Sequence, residues 1–146
     1  MNMRVGIASD HKGYLKKAKL IKCLEKEFDV IDYGTNSEAS VDYSDYAEKL
    51  CLDLVKNKIE FGILICYTGI GMSIAANKIK GIRCAKVDNV TEAKLCRLHN
   101  NANVIAVSSR KSFYEIKRIL IKFLKTDFSN EERHIRRINK ISKLEE

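Results

Sequence analysis

Short runs of β-branched and aliphatic residues alternate along this chain with longer stretches whose apolar positions recur at helical spacing. The runs at 4–9 (RVGIAS), 29–33 (DVIDY), 61–66 (FGILIC), 82–87 (IRCAKV) and 104–107 (VIAV) predict buried strands. Residues 13–27, 43–57, 71–79, 90–99 and 112–126 predict helices. In the first of these, Leu15, Ala18, Leu20, Ile21 and Leu24 fall near one face. Ser112 suits the N-cap of the fifth helix, with Glu115 three residues on as its capping-box partner. Strands and helices alternating at these lengths predict an α/β fold, a doubly wound parallel sheet with helices on both faces. Ligands of such sheets sit beyond the carboxyl ends of the strands. No repeat, linker or low-complexity segment interrupts the pattern, so 1–146 is expected to be a single domain. A further helix is predicted over 130–143. Ile135, Ile138, Ile141 and Leu144 form its apolar stripe, and Arg133, Arg137 and Lys140 line another face. A terminal helix of this kind covers its own domain or reaches onto a partner subunit, and the pattern leaves both open.

Composition narrows the class. With 45% apolar and 32% charged residues the chain reads as an ordinary globule, not a disordered one. No apolar run is long enough for a membrane span, so no membrane partner is expected. Residues 1–9 meet charge too early for a secretory signal, and the cysteine count of 5 is odd with no Cys-x-x-Cys pair. Reduced thiols in a cytoplasmic setting are therefore expected, without a disulfide framework or a structural zinc. The 27 Lys+Arg against 19 Asp+Glu give +8; residues 110–146 hold eleven and six (+5), and the first 109 hold sixteen and thirteen (+3). The excess lies towards the C-terminus and suits an anionic partner: nucleic acid, a membrane surface or a phosphorylated small molecule. No strand carries the aromatic-rich motif that stacks bases, so nucleic acid is not the expected partner.

Candidate chemistry gathers at the strand ends. The first strand runs into Ser9-Asp10-His11-Lys12-Gly13, where Asp10 suits a helix cap. Imidazoles suit phosphate binding or acid–base work near neutral pH, and His11 stands beside it. The third strand ends in Cys66-Tyr67-Thr68-Gly69-Ile70-Gly71-Met72-Ser73. Glycines there let backbone N–H groups converge, and a following helix adds partial positive charge, which makes the turn a candidate nest for an oxyanion or phosphate. Without a full GxGxxG fingerprint or a P-loop lysine it does not fit a nucleotide. Cys66 at its mouth is either a small buried hydrophobe, as Cys23, Cys51, Cys84 and Cys96 are expected to be, or a thiol activated by that turn. His99 and Asn100 close the fourth helix, where a histidine also suits a C-terminal cap. Arg110 follows the fifth strand, and with Arg133 and Arg137 it is a candidate phosphate ligand, because guanidinium forks match that geometry. Each arginine taken singly is equally a surface charge.

The stretches ASDHKG (8–13), DYGT (32–35), VDYSDYA (41–47), GILICYTGIGMSIAANKIKGIR (62–83), LHNNANVIAVSSR (98–110) and ERHIRRI (132–138) together resemble the type B ribose-5-phosphate isomerases. That family shares a superfamily with isomerases of allose 6-phosphate and galactose 6-phosphate. The resemblance implies a Rossmann-like three-layer α/β/α sandwich with a five-stranded parallel sheet and an extra C-terminal helix. It also implies a homodimer, with tetramers left open, and neither metal nor organic cofactor. The activity it implies is interconversion of D-ribose 5-phosphate and D-ribulose 5-phosphate in the non-oxidative pentose phosphate pathway, with a six-carbon sugar phosphate as the alternative substrate. By resemblance Cys66 is the base that moves a proton between C2 and C1. Thr68 and the amides of Tyr67, Gly69, Ile70 and Gly71 stabilise the cis-enediolate, and His99 opens the furanose ring. Asp10 and Asn100 meet sugar hydroxyls, and His11, Arg110, Arg133 and Arg137 bind the phosphate. The resemblance further implies a site at the dimer interface, with some groups from the second subunit. Two positions depart from the family pattern: Tyr67 stands where glycine is common, and Ser44 replaces a usual proline. Tyrosine at 67 is strained if that position needs a positive φ, and otherwise its ring shapes the pocket.

Overall fold

The structure, a computed structural model, describes residues 2–146. Its strands are β1 (Arg4–Ser9), β2 (Asp29–Asp32), β3 (Phe61–Cys66), β4 (Cys84–Lys86) and β5 (Val104–Ser108). They alternate with α1 (Tyr14–Leu24), α2 (Tyr43–Val55), α3 (Ile70–Ala76), α4 (Val90–Asn100) and α5 (Phe113–Lys125), and α6 (Glu132–Lys143) follows. All strands are parallel in one sheet of order β2-β1-β3-β5-β4. This is the doubly wound α/β/α arrangement that the alternation of apolar runs predicts.

The central strands read as continuous apolar runs because both their faces are covered. Val5, Ile7, Ile63, Ile65, Ile105 and Val107 pack with the layer of α1, α4 and α5, including Leu20, Leu24, Ala93, Ile116 and Phe123. Ala8, Leu64, Cys66 and Ala106 pack with α2 and α3 through Leu50, Cys51, Met72 and Ala76. Each βα unit returns its helix antiparallel to the strands. The loops after β1, β3 and β5 therefore share one edge of the sheet, and the C-terminal turn of α4 lies at the other.

The two outer strands differ from the expectation of buried runs at 29–33 and 82–87. Each pairs on one side only, β2 with β1 and β4 with β5. In β2, Asp29, Ile31 and Asp32 are exposed. The run at 82–87 narrows to Cys84–Lys86, half-buried throughout, with Ile82 and Val87 buried at its flanks. α3 also stops short of residue 79. Asn77 ends it by turning its amide onto the neighbouring strand: Nδ2 donates to Cys84 O at 2.9 Å, and Oδ1 accepts from Cys84 N at 2.8 Å. Ser112 caps α5 as predicted, its Oγ accepting from Glu115 N at 3.2 Å.

Two buried cations stand where the pattern reads plain surface charge. Lys17 on α1 is 1% exposed and reaches Asp32 Oδ1 at 2.7 Å, and Asp32 also accepts from Gly34 N at 2.8 Å. Arg97 on α4 lies over the Phe61 ring at 4.7 Å and donates to Thr126 O, Asn101 Oδ1 and Ala102 O. α6 rests on its own chain through His134 and Ile138, and Glu145 beyond its end accepts from Gly81 N at 2.9 Å. The rest of its predicted apolar stripe, Ile135, Ile141 and Leu144, stays exposed.

Candidate active site

β3 ends at Cys66, and Tyr67, Thr68 and Gly69 turn the chain into α3. Gly69 has φ +80, and a Cβ there would lie 3.0 Å from the Val107 carbonyl carbon, so the turn requires glycine on both counts. A Cβ at Gly71 would strike the ring of Tyr43 at 2.6 Å, and Tyr43 thereby roofs the start of α3. Thr68 Oγ1 accepts from Ile70 N at 3.1 Å, so that amide already has a partner while the hydroxyl proton remains to be donated. Cys66 itself is 4% exposed. Tyr67 is not among the residues with positive φ, so the tyrosine sits in the turn without backbone strain.

The neighbouring loops brace this turn. Ser109 N donates to Cys66 O at 2.8 Å. Ser108 Oγ donates to Tyr67 O at 2.7 Å and accepts from Arg110 N at 3.1 Å, which joins two candidate residues through one hydroxyl. Asp10 is buried, and its Oδ1 accepts from Lys12 N at 3.0 Å and Gly13 N at 3.1 Å. It therefore closes the loop ahead of α1 and does not cap the helix as expected, since Gly13 holds the N-cap position without a side-chain bond, and Oδ2 is left for a ligand. His11 Nδ1 accepts from Val41 N at 3.2 Å, which puts the ring proton on Nε2. Beside the turn a cleft of about 390 Å³ is lined by Thr68, Ile70, Ser108 and Arg110 together with Lys86 and Lys111. Among the described residues no three or more His, Cys, Asp or Glu side chains cluster as metal ligands do.

The remaining candidates gather elsewhere. His99 and Asn100 end α4 at the opposite edge of the sheet, and Leu98 O accepts from Ser129 N at 3.2 Å on the way into α6. There the His99 ring lies against His134, centroids 4.6 Å apart and planes at 37°. His134 is buried, and its Nδ1 lies 2.8 Å from Ser129 Oγ. Lost hydration, then the neighbouring His99 and Arg133, holds its pKa below the usual histidine value. Arg133 is exposed and bound to Glu131 at 3.0 Å, and Arg137 is exposed. The six residues of β3 span about 17 Å at ~3.3 Å per residue, so His99, Asn100, Arg133 and Arg137 do not meet Cys66 within one copy.

The model of the Ribose/Galactose Isomerase family matches residues 5–141, nearly the whole chain. The chain belongs to the ribose/galactose isomerase family. It is 42% identical to a putative sugar phosphate isomerase of Bacillus subtilis over 99% of this chain and 98% of that one. It is 35% identical to ribose-5-phosphate isomerase B of Escherichia coli, over 98% and 97%. A solved ribose-5-phosphate isomerase B of Mycoplasma genitalium with bound ribulose 5-phosphate superposes with a TM-score of 0.94 at 42% identity, covering 99% of this chain and 97% of that one. This chain presents two separate groups of polar residues, one at each edge of its sheet. His134, in the ERHIRRI stretch, is a buried partner of His99 that the motifs alone do not single out. Its signal was its place four residues before Ile138, on the face that α6 turns inward.

Proposed function

We propose that this isomerase interconverts D-ribose 5-phosphate and D-ribulose 5-phosphate through a cis-enediolate, as one domain spanning 1–146 and working as a homodimer. The observation that carries the reading is a thiol at the end of the central strand, set in a glycine turn with Thr68 and braced from the loop after β5. Cys66 removes the C2 proton of the open-chain aldose and returns it to C1. The Thr68 hydroxyl and the amides of Tyr67, Gly69 and Gly71 face the charge that develops on the enediolate oxygens, while the Ile70 amide, expected among them, is instead bonded to Thr68 Oγ1 and holds that hydroxyl in place; such fixed donors usually supply the largest part of the rate. Asp10 Oδ2 meets a sugar hydroxyl, and His11 Nε2 and Arg110 meet the phosphate.

A second copy supplies the other half. Under a two-fold axis, α4 and α6 of one copy lie against the Cys66 turn of the other, and the relation is mutual. His99 of the partner then opens the ring, Asn100 holds a hydroxyl, and Arg133 and Arg137 close on the phosphate. The uncovered apolar residues Ile70 and Ile74 on α3 and Ile135, Ile141 and Leu144 on α6 support such a contact. The setting proposed is the cytoplasmic, non-oxidative pentose phosphate pathway, with no cofactor.

A coupled assay on ribose 5-phosphate tests the reading: Cys66→Ala should lose several orders of magnitude in kcat/KM, and full activity in that variant would remove the proposed base. Because the exposed Tyr67 ring directly follows Cys66, the same assay on allose and galactose 6-phosphates decides between five- and six-carbon substrates.

A further inference from the structure

The turn after Cys66 carries an exposed aromatic ring with two cations on it. Tyr67, 53% exposed, has Lys12 Nζ at 5.8 Å and Arg110 Cζ at 5.4 Å from its ring centroid. Both distances lie within the reach of a cation–π contact. The two cations come from different loops, one after β1 and one after β5, and nothing in sequence order pairs them.

Each partner is fixed at its base. Ser108 Oγ ties the Tyr67 carbonyl to the Arg110 amide. Lys16 Nζ donates to the carbonyls of Ser109, at 2.5 Å, and of Lys111, the two residues flanking Arg110. The Asp10 carboxylate holds the Lys12 amide at 3.0 Å. Three backbones are therefore locked while three side-chain heads remain exposed around one ring. Both cationic heads share one ring, and a dianion is the ligand that offsets the repulsion between like charges held on the same side chain.

We propose that Tyr67 is a positioning residue that gathers Lys12 and Arg110 on its ring, and that Lys12 is thereby a further cation for the substrate's phosphate. The proposal rests on reading the Cys66 turn as a sugar-phosphate site. It adds a residue, Lys12, to the phosphate ligands, and it gives the tyrosine at position 67 a function that its ring face supplies and its hydroxyl does not. A phosphate seated on the pair holds the sugar chain with its carbonyl end towards Thr68 and Cys66, so the clamp acts on binding more than on proton transfer.

The probe is inorganic phosphate, titrated calorimetrically into the purified full-length protein at low salt, beside steady-state kinetics on ribose 5-phosphate. Lys12→Ala and Tyr67→Ala should each weaken phosphate about three- to ten-fold, between an exposed ion pair and a charge-assisted hydrogen bond, and raise KM by a similar factor with a smaller change in kcat. Tyr67→Phe should keep phosphate affinity within about two-fold, because the ring quadrupole survives. The double variant Lys12→Ala/Tyr67→Ala should fall short of the product of the single effects, since both remove parts of one unit. Unchanged phosphate affinity in Lys12→Ala overturns the proposal, and so does a Tyr67→Phe as weak as Tyr67→Ala. Calorimetry needs no turnover: if the variants behave as expected while ribose 5-phosphate is not converted, the clamp stands and the isomerase reading fails. If the wild type converts ribose 5-phosphate while phosphate affinity is indifferent to Lys12 and Tyr67, the clamp fails and that reading stands.

Discussion

Two inactive variants of this enzyme should repair one another when mixed. The first is Cys66→Ala, which removes the proposed base at one edge of the sheet. The second is His99→Asn with Arg137→Ala, which removes the proposed ring-opening group and a proposed phosphate ligand at the other edge; both positions are exposed, so the fold should tolerate the change. The intervening strand spans about 17 Å, whereas proton transfer requires approach to about 3 Å, so no single copy can unite the two groups. In a mixed dimer one site combines both lesions, and the other combines an intact Cys66 with an intact His99 and Arg137. Random pairing makes about half of the dimers mixed, each with one of its two sites whole, so recovery approaches about one quarter of wild-type activity. The variants are unfolded together in urea, refolded by dilution, and assayed for ketose formation from ribose 5-phosphate, with each refolded alone as control. Activity no greater than the sum of the two controls would refute the shared site.

Other perturbations follow from the buried groups. Asp32→Ala strands the Lys17 ammonium, which is 1% exposed; the loss should be about 2–3 kcal/mol in urea unfolding, below the value for a fully buried pair because the Asp32 side chain is 38% exposed. Lys17→Met should cost less, since it removes the buried charge and leaves a carboxylate that is partly exposed and still bonded to Gly34 N. His134, held neutral in the folded state, is protonated more readily once unfolded, so stability should decline as pH falls below about 6.5. His134→Gln should flatten that decline when Tm is followed from pH 7.5 to 5. Burial pushes the Cys51 thiol up to about 12 and the Cys96 thiol up to about 11, so native protein should leave both unlabelled by iodoacetamide until denaturant is added. Mass spectrometry of the peptides reads this directly, and native labelling of either one would contradict their burial.

The centre of the fold was more legible than its margins. β1 and β3 match their apolar runs to the residue, since strands covered on both faces show as unbroken hydrophobic stretches. The edge strands shrank because a run with one neighbour is held by fewer backbone bonds than its composition suggests. At the active edge, Cys66, Thr68, Gly69 and Asp10 were readable because turns need particular residue types. The separation of His99, Arg133 and Arg137 from Cys66 came only with the topology, since chain order states that α4 ends before β5 but not at which edge a second copy would meet it. Lysines were the least legible: nothing in the run Leu15-Lys16-Lys17-Ala18 distinguishes Lys16, which holds the loop around Arg110, from Lys17, which is sealed against Asp32. His134 was missed for a similar reason, set among arginines that are themselves exposed.

The Asn77 amide has a consequence for how copies of this protein can associate. An outer strand with open N–H and C=O groups invites another chain to extend the sheet, and from there fibrous aggregates can grow. Here the side chain of Asn77 occupies the donor and the acceptor of Cys84 at the start of that margin, as a short strand would. Sheet extension is blocked on that flank, and self-association is directed to contacts between side chains, which close into finite assemblies.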